Sequence, residues 1–109
     1  MATTLTKNGE YQGKWSSIDT GESGAAFAMK RHLGTRITVQ GSGTFASSTI
    51  TMQGSNDNSN WAALKDKFGN AAALTAAGIL EIDTAAKFIR PAVTAGTATG
   101  LTVNMVIGA

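Results

Sequence analysis

Residues able to do chemistry are sparse in this chain. The richest group is Gln53–Trp61, QGSNDNSNW, where Asn56, Asp57, Asn58, Ser59 and Asn60 lie against one aromatic, Trp61. Oxygen donors at this density suit a hard cation such as calcium, or a sugar held beside the indole. An EF-hand loop beginning at Asp57 requires a glycine at its sixth position and a bidentate glutamate at its twelfth. Those positions hold Ala62 and Phe68, so that loop is ruled out. An irregular calcium site built on a single carboxylate would be weak. Asn and Asp tolerate left-handed backbone angles and hydrogen-bond their own main chain, which is what a tight turn between strands needs. The stretch therefore reads as a hairpin turn, with Trp61 opening the return strand as a core anchor.

The other reactive groups lead no further. His32 is the single histidine and follows Lys30 and Arg31, with no G-x-S-x-G elbow elsewhere; it reads as a surface residue. One histidine and no cysteine preclude a histidine-rich or thiolate zinc site, a disulfide framework and a cysteine nucleophile. Glu81 and Asp83 are the one sequence-local carboxylate pair expected on the same strand face. Such a pair can serve glycoside hydrolysis, but on an outward face it is more simply solvated. No glycine-rich stretch has the spacing of a phosphate-binding loop, and Gly41–Gly43 is hairpin chemistry. No catalytic residue, metal ligand or cofactor site is expected.

The elements that would position these residues are strands. The 109 residues suffice for one domain, with 13 glycines, one proline and no long helix-forming run. The chain is 42% hydrophobic but only 6% aromatic, so its core is small and oligomerisation would help to stabilise it. Residues 1–14 carry isolated hydrophobes (Leu5, Tyr11) and read as an extended N-terminal arm; residues 15–109 form the domain. Trp15–Ile18 and Ala25–Met29 are short strand candidates. Arg36–Gln40 and Ser48–Gln53 alternate with period two, burying Ile37, Val39, Ile50 and Met52. Phe45 caps the loop between them. Trp61–Asp66 is a further strand, with Trp61, Ala63 and Leu64 as core candidates, and Gly69 serves a turn. Ala71–Gly78 reads as strand and turn rather than helix. Ile79–Asp83 follows with Ile79 inward and Ile82 as a second candidate. Pro91 puts its part of Lys87–Ala95 at an edge or bulge. Leu101–Ala109 turns Leu101, Val103, Met105 and Ile107 to one face. About seven or eight short strands in a single antiparallel, jelly-roll-like β-sandwich result.

The stretch TMQGSNDNSNWAALKDKFGN, followed by AAKFIRPAVTAG and LTVNMVIGA, resembles small virion structural proteins of tailed bacteriophages and prophages. Ser55, Asn56, Asp57, Trp61, Phe88, Ile89, Arg90 and Pro91 carry the resemblance, which spans residues 36–109. The same pieces also resemble discoidin-like galactose-binding sandwiches, whose ligand loops find no residue-by-residue match here. The phage resemblance implies a non-enzymatic capsid decoration (cement) protein, a homotrimer bound to the major capsid protein. It would be assembled in the host cytoplasm and sit on the outside of the virion. The alternatives are a tail or neck component, or a glycan-binding module using Trp61, Tyr11 or Trp15 as a stacking platform. Candidate capsid or subunit contacts are Leu5, Tyr11, Trp15, Lys30, Arg31, Arg36 and Arg90. A net charge of +2 with 15% charged residues gives no basis for nucleic-acid binding, and no run reaches transmembrane length. Neither partner is expected.

Overall fold

The computed structural model describes residues 4–7, 12–29, 36–84 and 86–107. Their elements are all strands: β1 (Thr4–Lys7), β2 (Gln12–Ile18), β3 (Phe27–Ala28), β4 (Arg36–Ser42), β5 (Thr49–Ser55), β6 (Ala62–Ala63), β7 (Ala73–Leu74), β8 (Gly78–Asp83), β9 (Phe88–Thr94) and β10 (Leu101–Ile107). They form two antiparallel five-stranded sheets. One has the order β1-β2-β10-β4-β8; the other is β3-β9-β5-β6, with β7 also paired to β5.

The pairing has a simple logic. β2 pairs with β10, β3 with β9, β4 with β8, and β5 with β6 and β7. The chain is thus one long hairpin whose first arm runs β2 to β5 and whose second arm returns from β6 to β10. Alternate rungs fall in opposite sheets, which is a jelly-roll-like winding. The apex of this long hairpin is the Asn/Asp-rich turn between β5 and β6.

Burial follows the pleat. Leu101, Val103, Met105 and Ile107 of β10 face inward with Ile37 and Val39 of β4, and meet Ile50 and Met52 of β5 and Ile89 and Val93 of β9 in one cluster. Trp15 and Ile18 are three residues apart, yet both are buried. A bulge reconciles this: Val103 faces Trp15 and Leu101 faces Ile18, while Ser17 takes a φ of 59°. The extra residue turns both side chains inward. Trp15 then ties the sheets together. Its ring meets Phe27 of the opposite sheet edge-on, with centroids 6.3 Å apart. Its Nε1 donates to the Ala25 carbonyl at 2.7 Å, so the indole nitrogen is not left unpaired in the core.

Several sequence expectations change. The segment read as a free arm contributes β1, which pairs with β2 from Thr4–Ser16 to Lys7–Gly13. Leu5 packs against the core from that edge, and Lys7 Nζ lies 5.3 Å from the Phe27 ring centroid. Ten strands are present among the described residues rather than seven or eight; β1 is one not expected from the sequence. In β8 the inward phase is Leu80 and Ile82, leaving Ile79 63% exposed. Pro91 is buried beside the short β3; its carbonyl accepts from Gly24 N at 2.8 Å. In an antiparallel strand a residue's N and O share a side, so the missing donor also faces this sheet margin. Gly69 does take the left-handed conformation its turn requires, at φ 85°.

Trp15, expected among the capsid contacts, is instead fully buried. Replacing it by alanine removes both the inter-sheet contact and most of the packing at that end. Trp15→Ala should lower unfolding free energy by about 3–5 kcal/mol, read from urea denaturation followed by circular dichroism.

Candidate functional site

The apex turn is organised by one carboxylate. Asp57 Oδ1 accepts from Ser55 Oγ at 2.8 Å, Ser59 N at 2.9 Å and Asn60 N at 2.8 Å. Its Oδ2 accepts from Asn60 Nδ2 at 2.7 Å. Asn58 takes a φ of 59°, in the left-handed region that Asn tolerates. Asn56 ties the turn to the second sheet arm, its Oδ1 accepting from Lys87 N at 3.1 Å. Both Asp57 oxygens therefore face inward on the turn itself. The backbone and side-chain donors of Asn60 lead a set that holds the Asp57 carboxyl well below the usual carboxylate range. The hairpin reading of this stretch holds, and among the described residues no group of three or more His, Asp or Glu could hold a metal.

Trp61 does not anchor the core. It is half-buried, and the Arg90 guanidinium lies over its ring, 4.1 Å from the centroid. Arg90 Nε donates to Gln53 Oε1 at 2.8 Å. The sheet register explains the convergence. Gln53 of β5 stands directly opposite Arg90 of β9, and also opposite Ala63 of β6, two residues after Trp61. Period two then puts Gln53, Arg90, Ala63 and Trp61 on the same outer face. Burial lowers the Arg90 pKa from its ordinary value. Arg90 thus braces the residue that follows the apex turn, through its stack on Trp61. Gln53 was not singled out from sequence; its role follows only from which residue the register sets across from it.

The carboxylate pair of β8 is structural. Glu81 is ion-paired with Lys67, and Asp83 lies 3.6 Å from Arg36 Nε. Lys67 lowers the Glu81 pKa, first by hydrogen bonding and then by charge. Arg36 is thus exposed but not unpaired. An open depression beside the apex turn is lined by Gly54, Ser55, Asn56, Asn60, Ala62, Leu64 and Ala86. None of these side chains is a carboxylate, histidine, lysine or arginine, and the one hydroxyl, Ser55 Oγ, donates to Asp57 Oδ1. Tyr11, Lys30 and Arg31, and with them His32, lie outside the described residues.

No protein-family profile matches the chain, and no curated protein matches it in sequence. A solved structure does match in fold. The SPBc2 prophage-derived protein YomS superposes with a TM-score of 0.65 at 18% identity, covering 89% of this chain and 95% of that one. The likeness is one of fold, and it runs nearly end to end through both proteins.

The Asp57 hydrogen bonds make a pH-dependent contribution. Its folded pKa is depressed, so the stabilisation is complete above the unfolded value of about 3.9. It is lost as pH falls towards the folded value. Asp57→Ala should lower the melting temperature by a constant amount at pH 5–8, and the gap to the unmodified protein should shrink progressively below about pH 4. Thermal denaturation across a pH series measures this.

Proposed function

We propose that this protein is a non-enzymatic structural component of a phage particle, a decoration protein that binds the outer surface of the head and stabilises it. The observation that carries this reading is the fold likeness to a prophage-derived protein over 95% of that protein's length. The apex turn and the aromatic-Ile-Arg-Pro strand, which carry the virion resemblance, support the same reading. They build a rigid corner of the sandwich rather than a reactive site.

A decoration protein needs surface area, shape and a rigid frame more than it needs reactive groups. On this reading the major capsid protein is the partner, and a homotrimer at three-fold positions is the working assembly. The glycan-binding alternative is less well supported by the aromatics. Trp15 is fully buried, and one face of Trp61 is covered by Arg90, which leaves neither as a free two-sided stacking platform.

The test is direct. Purified protein mixed with undecorated heads of the parent phage should co-sediment at a saturating stoichiometry, and should raise the temperature at which the heads rupture. Light scattering of the free protein should give the mass of a trimer. Binding to isolated tails but not to heads would instead assign a tail or neck position.

A further inference from the structure

The two outer faces of the sandwich differ in charge organisation. The outer side of the β1-β2-β10-β4-β8 sheet carries the ion pairs Arg36 with Asp83 and Lys67 with Glu81, together with exposed Lys14 of β2. The face of the β3-β9-β5-β6 sheet is built otherwise. Arg90 sits on it with no carboxylate partner among the described residues. Its Nε is bonded to Gln53 and its plane is stacked on Trp61.

The acids that could have served Arg90 are committed elsewhere. Asp57 uses both oxygens within the apex turn. Asp66 Oδ1 accepts from Phe68 N and Asn70 N at 2.9 Å. Asp19 Oδ1 holds Gly100 N, and Glu22 Oε1 holds Asp19 N, each at 2.8 Å. On the β5 side of Arg90 the register sets Gln53 and then Ala63, with Thr51 paired with Ala73 one row along; Phe88, beneath Lys87, lies one row along in the other direction.

We infer that this face docks on an acidic protein surface, with a partner carboxylate received by the Nη edge of Arg90. Three properties of the site fit that occupant. The guanidinium presents a planar fork that matches a carboxylate with two parallel hydrogen bonds. Gln53 and Trp61 already hold it in one orientation, so little side-chain freedom remains to be lost on binding. Arg and Trp, flanked on one side by Ala63, Thr51 and Ala73 and on the other by Phe88, is also the composition of an interface centre, where a few large residues carry most of the affinity. Arg90 is a cation with no carboxylate partner among the described residues, so the group that complements it is anionic.

This inference rests on the head-binding reading for the identity of the partner, and two assays separate the fates of the two. The first is co-sedimentation with undecorated heads. Arg90→Gln should weaken binding at least about tenfold. Because Arg90 also braces Trp61, a pair of variants at exposed Ala63 removes the folding ambiguity. Ala63→Glu should weaken binding by a similar factor, whereas Ala63→Lys should preserve or tighten it. Arg36→Gln, on the opposite sheet, should bind as the unmodified protein does. The second assay needs no heads: poly-L-glutamate should perturb the fluorescence of half-buried Trp61 saturably, and Ala63→Glu should abolish the response.

Failure of the unmodified protein to bind heads while poly-L-glutamate still perturbs Trp61 in this pattern overturns the head reading and supports the acidic-partner face. Head binding that is indifferent to the sign of charge at residue 63 overturns the inference and leaves the head reading standing. Absence of both responses overturns both. A change in oligomeric mass on Ala63→Glu would make the face a contact between copies of this chain, which also overturns the inference.

Discussion

The whole molecule depends on one constraint: the first arm of the chain must pair, strand for strand, with the second. No strand here is a stable unit by itself, and three of the ten are only two residues long. What makes them stay is the shared core between the sheets. β10 illustrates the point, since it is inserted between β2 and β4 and buries four side chains on its inner face. The register of each rung sets which residues enter the core, because a slip by one residue would turn every side chain over. The β2 bulge at Ser17 is the one place where the count is adjusted, and it does so to bring both Trp15 and Ile18 inside.

That constraint gives the apex turn its importance. A hairpin of hairpins can close only if the chain reverses cleanly once, and the reversal occurs at Asn56–Asn60. The single carboxylate of Asp57 gathers four donors to fix it. Asn56 and the Trp61–Arg90 stack then bind the reversal to β9, which lies beside β5. Residues that look like a ligand site in the sequence are, in space, the fastening of the fold. The proposed docking surface would grow out of the same fastening, since the arginine that braces the turn has no carboxylate partner among the described residues.

The legible parts of the sequence were those where one pattern was self-sufficient. β4, β5 and β10 alternate without ambiguity, and the Asn/Asp run could be assigned to a turn from local hydrogen-bonding chemistry alone. The illegible parts depended on partners distant in sequence. Thr4–Lys7 has a single hydrophobe and no period of its own; β2 makes it a strand. The run Ile79–Leu80–Glu81–Ile82 contains apolar residues in both phases, and only packing against β4 and the core chooses Leu80 and Ile82. Trp61 carried no local sign that it would be claimed by Arg90 rather than the core. The link arises only from the β5–β9 register.

The pairing of β2 with β10 has a consequence for synthesis. Sheet neighbours stand at opposite ends of the described chain, so the first long strand waits for the last before its ladder can form. A ribosome that has released everything through β9 holds a chain in which β2 and β4 still lack the strand that belongs between them. Such non-local pairing favours slow folding and leaves unpaired edges open to wrong partners meanwhile. The domain is therefore completed late and all at once, with no finished half to stand in for the whole.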